Sequence, residues 1–159
     1  MILEPQKRIS EKALTVWRFS AFIKVAISWI LAAVVIFFLH RFHVPLWIIV
    51  LLIAVELIFT YFSIYLIPSL KWRRWRYDVR EEEIELQEGI FIVKRTIIPM
   101  IRVQHVDTVQ GPLLRKYQLA SVIVNTAATA HEIPALEESE AEELRRFISN
   151  LARVADEDV

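Results

Sequence analysis

The sequence predicts an α+β membrane protein: a transmembrane helical hairpin followed by a small β-roll or split barrel closed by a C-terminal helix. Three observations carry that prediction. Two long apolar stretches lie side by side in the first 70 residues. Charge then rises abruptly, from six Lys/Arg and three acids in residues 1–70 to 13 Lys/Arg and 16 acids in residues 71–159. The apolar periodicity shifts at the same place to short β-like alternations with one amphipathic stretch at the end. The chain totals 159 residues, with 19 Lys+Arg against 19 Asp+Glu, no Cys and only two Gly. That composition excludes a disordered chain, a collagen-like repeat, a disulfide scaffold and a cysteine-ligated metal site.

Residues 1–18 form an N-terminal segment. From Ile9 to Phe19 charges mix with Leu14, Val16 and Trp17. Such a mixture suits an amphipathic helix in the inner interface, or a plain extension of the first span. Residues 19–70 form the hairpin. Phe19 to Leu39 carries one charge, Lys24. At 1.5 Å per residue such a run extends about 31 Å, the thickness of a bilayer core. Val44 to Leu70 is the second span, interrupted by Glu56. Pro45 stands where a helix starts, and Pro68 is placed to stop or kink it. The turn His40-Arg41-Phe42-His43 leaves no room for an external domain. A cleavable secretory signal is excluded by the length of the first run, the lack of a small-x-small site and the immediate second span.

Lys7, Arg8, Lys12, Arg18 and Lys24 flank the first span, and Lys71, Arg73, Arg74 and Arg76 follow the second; the turn has Arg41 alone. This asymmetry predicts a multi-pass protein of the cell membrane with both termini in the cytoplasm. Trp17, Trp47, Trp72 and Trp75 fall where an aromatic belt would sit.

Residues 71–159 read as the cytoplasmic domain. Trp75, Tyr77 and Val79 alternate with polar residues, and so do Ile84 and Leu86. Gly89 marks a turn, followed by an apolar strand that stops at Pro99. Val103, Val106 and Val109 recur every third residue, which suits a bulged strand. Gly111-Pro112 breaks it, and Leu113 to Tyr117 fits one helical turn. Leu119 to Thr126 and Thr129 to Pro134 are further strands. Ser139 and Glu142 stand at capping-box spacing, ahead of Leu144, Phe147, Ile148 and Leu151 at helical spacing.

This arrangement resembles the bacterial pleckstrin-homology-like, membrane-flanked domain family, and within it the YdbS-like branch. The likeness is carried by Gly89 after the second strand, by RTIIPMIRVQHVDTVQGPLLRKYQLASVIVNT (Arg95 to Thr126) and by the terminal helix from Ser139. It extends over essentially the whole chain. Pro99 precedes the bent strand and Arg115 follows the Gly-Pro turn, as in the family; Gln118 and Ala128 stand where glycine is common, which bears on loop shape. The resemblance implies a pleckstrin-homology-like roll and no enzyme.

Candidate functional residues are few. Glu56 lies near the middle of the second span, where a carboxylate is costly. A hairpin turning at residues 41 and 42 brings it opposite Ser28, with Lys24 one turn further in. Three explanations stay open: a protonated or internally paired carboxyl using Ser28 or Lys24, contact with a partner protein, or a proton or ion pathway. Lys71, Arg73, Arg74 and Arg76, interleaved with Trp72 and Trp75, suit contact with anionic lipid, and the same residues serve as the topology signal. His105 and Asp107 share one face of a strand without a nucleophile or metal to complete a catalytic set. His40 and His43 make a poor metal pair in so short a turn. Arg115 and Lys116 read as a solvated pair. The isolated glycines exclude a phosphate-cradling loop, and the acidic second half disfavours nucleic acid. No cofactor is implied. The expectation is a non-enzymatic interaction module, a subunit of a membrane complex in export, envelope stress or defence. Its partners would be membrane lipids and a membrane protein, either a related family member or a second copy. The alternative is a lipid-sensing or lipid-handling module.

Overall fold

The structure is a computed structural model and describes residues 5–157. The chain divides into two compact units. One comprises residues 17–70 and the other joins the N-terminal residues through Val16 to residues 71–159.

The first unit is helical. Helix α1 spans Lys12–Arg41 and begins well before the expected span, as a direct extension of it. Its end is a Schellman motif: Val44 N–H bonds to the Leu39 carbonyl and His43 N–H to the His40 carbonyl, with His43 at φ +56°. Histidine occupies a position usually given to glycine, and the turn closes without one. Helix α2 spans Leu46–Tyr61 with Pro45 as its N-cap residue. A single π turn, Phe62–Leu66, leads into helix α3, Ile67–Arg74. Of the stop or kink expected at Pro68, the stop does not occur: the helix continues through the proline. Proline lacks the amide hydrogen and its ring crowds the carbonyl four residues earlier. The widened π turn just before it, with Ile67 N–H reaching back to the Phe62 carbonyl, absorbs that defect. Lys12–Arg41 and Leu46–Arg74 are both long and apolar enough to cross a bilayer. Their large apolar side chains are exposed, among them Phe22, Ile30, Leu31, Phe37, Trp47 and Ile58. Only an apolar solvent makes that surface stable.

The second unit is two three-stranded antiparallel sheets with a terminal helix. Sheet A has the order β1 (Arg76–Val79), β2 (Glu83–Glu88), β3 (Lys94–Pro99). A 3-10 turn, Met100–Arg102, leads to sheet B, ordered β4 (Val103–Val109), β5 (Leu119–Thr126), β6 (Ala130–Glu137), with α4 (Pro112–Lys116) between β4 and β5. Helix α5 (Glu138–Glu157) packs on sheet B and on the 3-10 turn.

The alternation read from the sequence sets which face is buried. Tyr77, Ile84, Leu86 and Ile98 point inward from sheet A, and Val106, Val122, Val124, Ile133 and Leu136 from sheet B. Ala141, Leu144 and Ile148 close the core from α5 at helical spacing. The expected bulge in β4 is present between Val103 and His105.

Three local expectations are corrected. The apolar run after Gly89 is not strand throughout, because β3 begins only at Lys94 and residues 90–93 form a loop. β6 runs through Pro134 to Glu137 instead of stopping there. A register shift opposite Ser121 accommodates the proline, which has no amide to offer the ladder. Within that bulge Ala135 adopts φ +51°, its N–H donates to Ser121 Oγ (3.3 Å) and its carbonyl accepts from Ser10 N–H (3.3 Å). The capping box at Ser139 does not form, since α5 starts directly at Glu138, whose N–H bonds to the Gln118 carbonyl. Glu142 instead binds Arg145 (2.7 Å) and Arg146 (3.0 Å). Those two guanidiniums hold its carboxyl at about 2, well below the usual range.

The N-terminal arm completes the second unit. Lys7 exchanges both backbone hydrogen bonds with Tyr77 at the edge of sheet A, and Ser10 reaches Ala135 in sheet B. Ile9, Ala13 and Val16 are buried, and Lys12 pairs with Glu137 at 2.9 Å. The arm thus ties the two sheets together, a role its scattered charges concealed.

Candidate functional site

Within the helical unit the polar groups are sparse and mostly satisfied. Trp29 Nε1 donates to Thr60 Oγ1 (3.0 Å), and that hydroxyl donates to the Glu56 carbonyl (2.8 Å). Arg18 Nη2 donates to Ser69 Oγ (3.2 Å), with its guanidinium 5.7 Å from the centre of the Tyr65 ring. These are two polar links between the two helical segments, and the sequence reading missed both. A membrane helix carrying Trp or Arg beside a small hydroxyl on its neighbour is the signal that could have found them.

Glu56 stands apart. The Glu56 side chain is half-buried, and Oε1 is shielded from solvent with no hydrogen-bond partner among the described residues. Ser28 is half-buried and Lys24 exposed; neither satisfies that oxygen.

The basic stretch after the second span divides by role. Lys71, Arg73 and Arg74 are exposed in the last turn of α3, whereas Arg76 is half-buried in β1. The aromatic residues between them serve the domain. Trp75 is only 3% exposed and packs near Tyr77, so it is a core residue and not part of an aromatic belt. Trp72 Nε1 donates to the Ser10 carbonyl (3.1 Å), and Arg8 lies 6.0 Å from the centre of its ring.

Elsewhere, His105 Nε2 and Asp107 Oδ2 are 3.5 Å apart on β4, both more than half exposed, and Asn125 donates to the same Asp107 oxygen. Among the described residues no three His, Asp or Glu side chains are grouped to hold a metal ion. Arg115 and Lys116 are exposed at the end of α4. Buried Glu85 lies 3.5 Å from Arg80 and 4.0 Å from Arg95, a structural ion cluster on the outer face of sheet A.

The family model described as "Bacterial PH domain" matches residues 20–152, most of the chain, including the second helical span and both sheets. The chain belongs to the bacterial PH domain family. It is 49% identical over 98% of its length, and 98% of the relative's, to UPF0699 transmembrane protein YdbS of Bacillus subtilis (strain 168). It is 28% identical over 83 residues to UPF0699 transmembrane protein YdbT of the same strain, half of this chain and 17% of that longer protein. No solved structure matches it significantly. With two bilayer-length apolar helices and these relatives, this bacterial PH domain protein is a membrane protein. The resemblance read from Gly89, the Arg95–Thr126 segment and the terminal helix is thereby confirmed.

Proposed function

We propose that this bacterial PH domain protein is a membrane-anchored, non-catalytic interaction module. Its hairpin holds the roll at the inner face of the cell membrane with both termini in the cytoplasm. Its partner is a second membrane protein of the same family or another copy of itself. The observation that carries this reading is Glu56, whose Oε1 is buried in a bilayer-length apolar segment without a hydrogen-bond partner among the described residues. A carboxyl in that position is costly, and a polar group on a neighbouring protein's helix would relieve it. Two proteins similar to this chain, YdbS and YdbT, come from one Bacillus subtilis strain, which supports a related family member as the partner. The excess of Lys and Arg outside the turn supports the orientation.

The test is crosslinking in native membranes at native expression, read by mass spectrometry, with wild type beside Glu56→Gln. One dominant protein partner, weakened in the variant, is expected. Crosslinks to lipid alone, or a partner retained undiminished in the variant, overturn the reading. A second reading, sensing of anionic lipid, is favoured by the exposed Lys71, Arg73 and Arg74. It requires that neutralising Arg73 and Arg74 abolish any preference for anionic over zwitterionic bilayers.

A further inference from the structure

The loop between β2 and β3 is the most exposed apolar feature of the β-rich unit. Gly89 is followed by Ile90, Phe91, Ile92 and Val93, with no polar side chain in the run. Phe91 is 91% exposed and Ile92 84%. A hairpin tip in water is ordinarily built from polar turn residues, so this composition calls for an apolar environment.

Strand register fixes where the tip lies. β1 and β2 are antiparallel with Arg76 opposite Gln87, and β2 and β3 with Glu88 opposite Lys94. The loop therefore leaves sheet A at the end where β1 begins. One residue, Trp75, separates β1 from the last turn of α3, the helix through which the chain arrives from its membrane span. A cavity of about 320 Å³ at this end is lined by Lys71 and Trp75 together with Glu88 and Lys94, the two residues that flank the loop. The opposite end of the same sheet, at Glu81 and Glu82, is exposed and acidic.

We infer that the 89–93 loop is a second membrane contact, a wedge whose Phe91 and Ile92 side chains enter the bilayer interface, with Lys94 and Lys71 beside it meeting anionic headgroups. The occupant is lipid and not protein for three reasons. The domain is covalently held at a bilayer through Lys71, the tip sits at the tethered end, and behind the apolar tip stands a charged collar, Lys94 on one strand and Glu88 3.9 Å from it on the other, the order of layers met on entering a membrane. The effect would be to orient the roll relative to the membrane, independently of the partner reading above.

The chain has no cysteine, which gives a clean experiment. Full-length Ile92→Cys and Glu81→Cys are labelled with an environment-sensitive fluorophore and reconstituted into vesicles of zwitterionic lipid alone or mixed with phosphatidylglycerol. Half of the samples carry nitroxide-labelled lipid. The expected result is a blue-shifted emission at residue 92, quenched by the nitroxide and stronger with the anionic lipid, beside an aqueous, unquenched signal at residue 81. Adding Phe91→Ser to the Ile92→Cys protein should return its spectrum toward the aqueous one. An aqueous signal at residue 92 overturns the inference. So does a blue shift without quenching, which means burial against protein, or equal quenching at both sites.

Discussion

Replacing Gly89 by alanine would place a methyl group where the backbone leaves no room. Gly89 has φ +116°, and an ideal Cβ there lies 1.9 Å from the Ile92 carbonyl oxygen and 3.0 Å from its carbon. The oxygen must retreat by about 1 Å before the contact becomes merely tight. The positive φ adds strain of about 1–3 kcal/mol for a residue with a Cβ. Because the loop is exposed and can yield, the combined loss is expected near 2 kcal/mol. Gly111 is the internal control: a Cβ added there meets nothing within 4 Å and its φ is −76°, so Gly111→Ala should stay within about 0.5 kcal/mol of wild type. Hydrogen exchange of the full-length protein in nanodiscs, resolved on β2 and β3, reads the difference. About 2 kcal/mol corresponds to roughly thirtyfold faster exchange in that hairpin. Equal protection in Gly89→Ala, Gly111→Ala and wild type would refute the argument that this turn depends on glycine.

Two further variants test the roll itself. Gln118 has φ +55° with its side chain exposed, so Gln118→Gly should stabilise the domain by about 0.5 kcal/mol, relief of left-handed strain outweighing lost chain entropy, and a lower melting temperature would contradict this. Tyr77 Oη donates to Glu140 at 2.8 Å, and burial first, then that hydrogen bond, push its phenol well above the usual value. Tyr77→Phe should cost about 1 kcal/mol at neutral pH. A pKa raised on folding contributes stability that is present below the unfolded value near 10 and lost as pH rises toward the folded one. Wild type should therefore lose stability above about pH 10 more steeply than Tyr77→Phe, and parallel alkaline profiles would show that the phenol is not responsible.

Local pattern alone made much of this protein legible. Two long apolar runs, each carrying a single charged residue (Lys24 and Glu56), identify bilayer-length helices because no soluble core of this size could cover them. Period-two alternation places β1 and β2, and the Val103-Val106-Val109 spacing anticipates the bulge in β4, because side-chain direction along a strand depends only on local geometry. The bacterial PH domain family was legible as a resemblance, carried by Gly89, the Arg95–Thr126 segment and the terminal helix, and the family match bears it out. Tertiary structure decided the rest. Ile90 to Val93 reads as strand by composition, yet partners exist only from Lys94 onward, and a strand is defined by its neighbour. Trp75 reads as an interface residue, but the chain turns into β1 at that point and buries it. The N-terminal arm joins Tyr77 and Ala135 through backbone groups, which carry no signature in side-chain sequence. Glu56 is conspicuous in the sequence, whereas the lack of a partner for its Oε1 among the described residues is visible only in the folded structure. Hydrophobic pattern is written along the chain and so determines the elements. Contacts between residues distant in sequence depend on how those elements meet, and these decided the arm, the buried tryptophan and the exposed loop.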